Sequence, residues 1–419
     1  MRCTREFDGP DTGPLTWPVR FTDGTSAADI VVVGRRIAGL LAATRLAAGG
    51  ARVTLLERGA LGSGASVSNH GIVHSGALYV RHHPSVLHPC QRAQAMVQAE
   101  FPDAAIGVFP AIYFGQPDRV SAVAHELSRR GLGWKPARPP ALVRQAPESA
   151  AGMGTLVVKE TIVSSRQVLV ELVTRAGALR VRILPWTAAT DLDQHRGRWL
   201  VGLPGGRRLP SGTVVLAAGE GNRRLLARLA PRTADLIRSR LELMIYLPGY
   251  RPAAPMFCLD YGGPTLVPAC GGALVSFHGA PRLDHDDRCG RPVPLGRATQ
   301  LLHAATVFPG LADHAADAAA YTCVKTEWAD EHADQWGSRP EHAVIDHAAH
   351  GLSGLLSLIP GKMTLAFQAT RELAQLVLGG PVPLAPPRPR LSNSLTEAAA
   401  AQVAVEPWRA VPDPVVRAS

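Results

Sequence analysis

Four stretches of this chain hold residue types at spacings that could do chemistry, and the first is a phosphate-sized turn. Gly34-Arg35-Arg36-Ile37-Ala38-Gly39 has glycine at the first and third of the three positions a dinucleotide turn requires. Those glycines serve the tight bend, the close approach of backbone to pyrophosphate, and the packing of the following helix on its strand. Arg36 holds the second position, so a long cationic side chain stands where bare backbone should meet phosphate oxygen. Three outcomes are open: the guanidinium pairs with the pyrophosphate as a charged substitute, the cofactor binds more weakly or in a shifted position, or it has been lost and the site serves another purpose. Glu57 ends the next apolar run, where a carboxylate accepts a hydrogen bond from a ribose hydroxyl.

The second stretch is the small-residue run Gly62-Ser63-Gly64-Ala65-Ser66, followed by Asn69-His70-Gly71-Ile72-Val73-His74-Ser75-Gly76. Small residues let a chain pass close to a phosphate-bearing ligand while hydroxyls and amides donate hydrogen bonds; the plain alternative is an ordinary flexible loop. The third, Gly361-Lys362-Met363-Thr364, opens a helix-like apolar run whose positive end favours negative charge. Lys362 stands out because the chain has only four lysines. The fourth is Trp336-Gly337-Ser338-Arg339-Pro340, where Arg339 offers a planar fork to carboxylate or phosphate or is simply a surface arginine before a turn. Asp284-His285-Asp286-Asp287 reads as a solvated loop, and no metal site is expected.

The elements that must position these residues follow from the apolar pattern. Ile30–Val33 is a β-branched run, then comes the turn, a helix-like segment ending at Gly49-Gly50, and a second strand, ARVTLLE. Strand-like runs recur at 109–114, 241–247, 266–267 and 273–277, with helix-like stretches at 118–130 and 165–176. This alternation predicts an α/β fold: a Rossmann-like nucleotide domain with a parallel sheet, interrupted by an inserted, mostly antiparallel substrate-binding domain. The expected boundaries are 29–105, 165–235 and 336–380 for the first and 106–164 and 236–335 for the second. Residues 1–28 read as a flexible tail. Residues 381–419 read as a proline-rich linker with an alanine-rich and polar end, to which no catalytic role is assigned.

Composition narrows the function class. The net charge of +10 comes mainly from arginines scattered along the chain without a basic run, which argues against nucleic-acid binding and suits an anionic cofactor or substrate. Six widely spaced cysteines contain no CxxC pair, as expected for a reducing cytoplasm rather than a zinc ribbon or disulfide framework. No secretory leader or transmembrane segment is legible, which implies a soluble protein.

Residues 29–58 resemble the FAD-binding start of the D-amino-acid oxidase superfamily, whose turn normally reads GGGIAG. NHGIVHSGALY resembles the flavin-side segment of L-2-hydroxyglutarate and glycerol-3-phosphate dehydrogenases. Val214–Gly219, Trp336–Pro340 and the Gly-Lys-Met-Thr segment resemble further stretches of the same superfamily, so the likeness spans about residues 29–380. It departs at Arg35, Arg36 and Pro360.

The resemblance implies FAD held at its phosphate and ribose end by Gly34, Arg36, Gly39, Glu57 and Arg58, with Ala189 beside the adenine and Ala218-Gly219 near the pyrophosphate. Gly64, Ala65, Ser66, Asn69, His70 and Gly71 would follow the cofactor toward its ring, and Gly361, Lys362, Met363 and Thr364 would cap the ring from the other end. His74 is implied as acid/base, with His70 the runner-up, and Arg339 as the anchor for a small anionic substrate. The implied reaction removes hydride from a CH–OH carbon, ahead of CH–NH, and leaves oxygen, a quinone or a protein open as electron acceptor. A flavin-deficient binding protein is the alternative, supported by Arg36; an aromatic hydroxylase or halogenase ranks third because its Gly-Asp motif before the last helix is not found.

Overall fold

The computed structural model describes residues 28–137, 152–260, 263–277, 311, 314, 317–329, 341–380 and 393–410. In chain order the elements begin β1 (Ala28–Val33), α1 (Ile37–Ala48), β2 (Val53–Leu56), α2 (Ala65–Ser68), β3 (Ile72–Val73) and α3 (Leu87–Glu100). There follow β4 (Ala105–Gly115), α4 (Pro117–Arg129), β5 (Lys135–Pro136), β6 (Gly154–Val163), α5 (Ser165–Ala178), β7 (Arg182–Leu184), β8 (Leu192–His195), β9 (Arg198–Gly202) and β10 (Arg208–Leu216). Then come α6 (Glu220–Leu226), α7 (Pro231–Asp235), β11 (Ile237–Pro248), β12 (Met256–Cys258), β13 (Pro264–Ala269), β14 (Gly272–Phe277) and β15 (Ala319–Trp328). The chain closes with β16 (Ala343–Asp346), β17 (Leu355–Ile359), α8 (Met363–Leu378), α9 (Asn393–Gln402) and α10 (Pro407–Ala410).

A continuous apolar run such as β1 belongs in the middle of a sheet covered on both faces. It lies there, between β10 and β2 in the order β16-β17-β10-β1-β2-β7, with every pairing from β17 to β7 parallel. Ile30 and Val32 point into a core shared with α1, α3, α5 and α8, while Val31 and Val33 point into a second core with Trp199, Leu225 and Leu226. The other sheet runs β15-β11-β14-β13-β12-β4-β6-β3 and is antiparallel except where β12 meets β4. The α/β class, with one largely parallel sheet and one mostly antiparallel, is the one the sequence predicts.

Two features were not legible. Arg45, inside α1, is 1% exposed and bonds Glu100 of α3 at 2.9 Å, with Arg175 of α5 on the same carboxylate, so three helices share a buried ion cluster. The alanine-rich segment near the C-terminus, read as part of a tail, packs into the molecule instead. Its Arg166 partner donates to Ala400 O at 2.8 Å, Ala404 N–H bonds Leu61 O at 2.8 Å, and Trp408 stacks on Tyr246 with centroids 5.1 Å apart. Buried alanine faces and one aromatic anchor hold it where composition alone suggests solvent.

Removing one member of a buried ion pair costs about 3–5 kcal/mol because the partner charge stays behind. Glu100→Ala is therefore expected to lower the urea midpoint by an amount equivalent to that range at unchanged slope.

Candidate functional site

The β1–α1 turn is built on glycine for steric reasons. Gly34 has φ +105, and a Cβ there would meet Ala217 O at 2.6 Å; a Cβ on Gly39 would meet Gly34 O at 1.8 Å. Helix α1 starts at Ile37, whose N–H bonds Ser66 Oγ at 3.0 Å, so the small-residue loop is tied to the helix end. Arg36 is the extended residue before the helix and is half-buried. Its guanidinium lies between two further turns: a Cβ on Gly64 would stand 2.7 Å from Arg36 Nη2, and one on Gly219 would stand 2.8 Å from Arg36 Nη1. Among the described residues this guanidinium has no hydrogen-bond or ion-pair partner.

Arg35 goes the other way, into the protein, and is 1% exposed. Its N–H bonds Glu57 Oε2 at 3.0 Å and its Nη2 bonds Gly59 O at 3.2 Å, while Nε and Nη1 are buried without a partner among the described residues. Burial pushes its pKa down to about 10 against the pull of Glu57. Glu57 stays half-buried with lone pairs to spare. Arg58 is exposed, and Ala189 is buried beside β8 and β9 in an irregular segment rather than a strand. The Ala218 N–H is held by Asn222 Oδ1 at 2.8 Å, and the same amide reaches Leu216 O at 2.9 Å.

The ring-facing end brings together segments from opposite ends of the chain. His74, 6% exposed, donates its N–H to Thr364 Oγ1 at 3.0 Å, and Thr364 donates to Ile72 O at 3.3 Å. Met363 Sδ meets Ser165 Oγ, whose other neighbour is Asn69 Oδ1 at 3.1 Å. Asn69 also accepts from Gly71 N–H at 2.7 Å and donates to Ala65 O and Ser66 O, which fixes the loop. Gly361, at φ +66, turns the chain so that Lys362 precedes α8. Lys362 Nζ lies 3.6 Å from the Tyr79 ring centroid and is buried without a hydrogen bond among the described residues; burial, then the charge of Lys325, pushes it down to about 7. The Tyr79 ring meets the His74 ring edge-on, 5.3 Å between centroids.

Facing these is one side of β11 and β15. Alternation turns Met244, Cys323 and Tyr321 into the core, and continues that face with Glu242, Lys325 and Glu327. Lys325 Nζ lies 2.8 Å from Glu327 Oε1 and 3.9 Å from Glu242 Oε1. His70 is crowded by protein there; burial pushes it down to about 4, opposed by Glu242 and assisted by Lys325. Reasoning from sequence missed this charged band, although the same lysine scarcity that marks Lys362 also marks Lys325. It missed Glu160 as well, a buried carboxylate under His74. Arg339 and residues 284–287 lie outside the described residues. No helix among the described residues is long and apolar enough to cross a membrane.

The sequence pattern of the DAO family, FAD dependent oxidoreductase, matches residues 29–365. A probable FAD-dependent oxidoreductase of Pseudomonas aeruginosa is 45% identical over 56 residues, which is 13% of this chain and 14% of that protein's length. Glycine oxidase from Geobacillus kaustophilus superposes with a TM-score of 0.69 at 17% identity, covering 88% of this chain and all of that one. Glycerol-3-phosphate dehydrogenase from Bacillus halodurans, complexed with FAD, gives 0.58 at 15% identity over 86% and 67%. At these identities the structures share the fold.

The buried Lys362 sets a pH dependence. Below about pH 7 its ammonium is charged whether the chain is folded or not, so the burial cost is at its fullest; from there to its ordinary value of 10.5 only the unfolded chain keeps the proton, and stability rises. Lys362→Met should therefore raise Tm most below pH 7, with the gain shrinking toward pH 10.5. A gain that does not vary with pH would show that Lys362 is not desolvated.

Proposed function

Because the chain belongs to the DAO family of FAD-dependent oxidoreductases, we propose that it removes hydride from a carbon bearing a hydroxyl or an amine in a small anionic metabolite, with FAD as the hydride acceptor. The observation that carries this reading is the direct bond from His74 N–H to Thr364 Oγ1, which brings the acid/base candidate and the start of α8 to one place.

The residues present fit the cofactor. Gly34 and Gly39 let α1 pack tightly on its strand, Gly64 and Gly219 leave space that the Arg36 guanidinium fills, and that guanidinium, without a partner among the described residues, would supply a counter-charge for the pyrophosphate. Glu57 retains acceptor capacity for a ribose hydroxyl, and Ser66 and Asn69 order the loop that would run beside the ribityl chain. Helix α8 has no side-chain cap and no acid in its first turn, so its N-terminal N–H groups remain suited to an electron-rich ring edge.

When bound, FAD supplies a two-electron acceptor that no side chain can replace. The chain's own residues do the rest. His74 takes the proton from the substrate's O–H or N–H as the C–H pair leaves as hydride, which yields a C=O or C=N product. Lys325 and Lys362 offer cations to the substrate's anionic end. Glu242 and Glu327 beside Lys325 suit a substrate that carries a cation too, which sets amino acids level with hydroxy acids and polyol phosphates. A second reading, binding without redox chemistry, is favoured by the Arg35 side chain packed fully against the Glu57 loop.

The purified protein is expected to be yellow, and its colour to bleach without oxygen on addition of one of glycolate, lactate, glycine, alanine or glycerol 3-phosphate; a colourless protein that binds no added FAD favours the second reading. His74→Ala should keep the colour and slow bleaching by about 10²–10⁴-fold. Arg36→Gly removes a charged hydrogen-bond donor and should weaken FAD binding by about 10- to 100-fold, and tighter binding would show that the arginine obstructs the phosphate.

A further inference from the structure

The carboxylate of Glu160 is the most completely enclosed acid near the site, at 0% exposure on β6. Its Oε2 accepts Ser75 N–H at 2.7 Å and Gln94 Nε2 at 3.3 Å; its Oε1 accepts Ser75 Oγ at 2.6 Å and the Tyr113 hydroxyl. Gln94, on α3, uses the same amide to hold Val73 O at 2.8 Å. The peptide units before and after His74 are thus both tied to one carboxylate and its amide partner, while the His74 N–H is tied to Thr364. Three elements, α3, β6 and α8, grip three successive residues.

We propose that Glu160 is a positioning residue for the reaction: acting through Ser75 and Gln94, it fixes the backbone on both sides of His74 and so sets where the His74 ring meets the substrate's proton. This rests on the activity proposed above. A carboxylate suits the task because it is acceptor-only and each oxygen here receives two donors. An amide in its place can keep its oxygen toward Ser75 N–H and Gln94 and turn its NH₂ toward the two hydroxyls, which can reverse. Alanine keeps nothing. The ionisable groups that interact with Glu160 are Tyr113 from β4 and Cys90 from α3; beyond them lie Tyr79, which interacts with Tyr113, and Lys362, which interacts with Cys90. Burial pushes Glu160 up to about 7, against the hydrogen bonds from Ser75 and Tyr113. Its charge therefore changes near neutral pH, and when it is protonated one hydroxyl must turn from donor to acceptor.

The test compares Glu160→Ala, Glu160→Gln and Gln94→Ala in the flavin-loaded protein, with amide hydrogen exchange at residues 73–75 and flavin bleaching by the fastest of the compounds screened above. Glu160→Ala should lose exchange protection at Ser75 and slow bleaching per bound flavin by up to about 10²-fold, with the half-saturating substrate concentration nearly unchanged. Glu160→Gln should recover most of the rate and flatten its pH dependence around neutrality. Gln94→Ala, which leaves the carboxylate in place, should loosen exchange at His74 and slow bleaching to a smaller extent. The proposal is overturned if the Glu160 variants lose Tm or flavin while each remaining flavin bleaches at the parent rate. It is also overturned if Glu160→Gln and the parent share one pH profile. A parent protein without flavin, or with flavin that none of the compounds bleaches, would instead remove the activity on which the proposal stands.

Discussion

The Thr364 hydroxyl joins two segments that lie 290 residues apart, and the rest of the site is arranged around that bond. One hydroxyl both accepts from the His74 N–H and donates to Ile72 O, so it completes the edge of β3 with the first turn of α8. It is fully buried, where an unpaired polar group is costly, so the two bonds form together or both are lost. Helix α8 then packs on α1, and α1 is pinned by Arg45 to α3, from which Gln94 reaches back to Val73. The path closes on itself: each element that presents a group to the site is held by another that does the same.

Charge is distributed unevenly along that path. Arg35 and Arg36 stand at the positive end of α1, a repulsive arrangement in the absence of an anion. Arg35 is accommodated by the Glu57 carboxylate and the Gly59 carbonyl, whereas Arg36 reaches the meeting point of three glycine turns and finds no acceptor among the described residues. Farther along, Lys325 is flanked by two carboxylates and Lys362 rests on an aromatic face. Of these cations Arg36, at the phosphate cradle, is the least compensated among the described residues, in keeping with a ligand that carries its negative charge at that end.

Much of this was legible in the sequence, and the parts that were not share a cause. Local patterns fixed β1, the glycine turn, the end of α1 at Gly49 and the start of α8 at Met363, because backbone geometry there is dictated by neighbours in the chain. The direction of the two arginine side chains could not be read, since it depends on Gly64, Gly219 and Gly59, which come from other turns. Glu160 was invisible for the same reason: a glutamate in a strand looks solvated until Ser75, Gln94 and Tyr113 are brought over it. Glu242 sits in a strand that the apolar pattern showed, whereas the strand carrying Lys325 and Glu327 was not read from the sequence, and which face of either turns inward is decided by sheet packing.

The C-terminal segment adds a mechanical property. It is hydrogen-bonded to the Leu61 loop beside the dinucleotide turn, and it places Trp408 against Tyr246 and Tyr321 in the other sheet. A single stretch of chain therefore staples the two sheets across their seam from outside. Any displacement of one sheet against the other at this segment has to shear an aromatic stack, which couples it to the seating of the terminal helices.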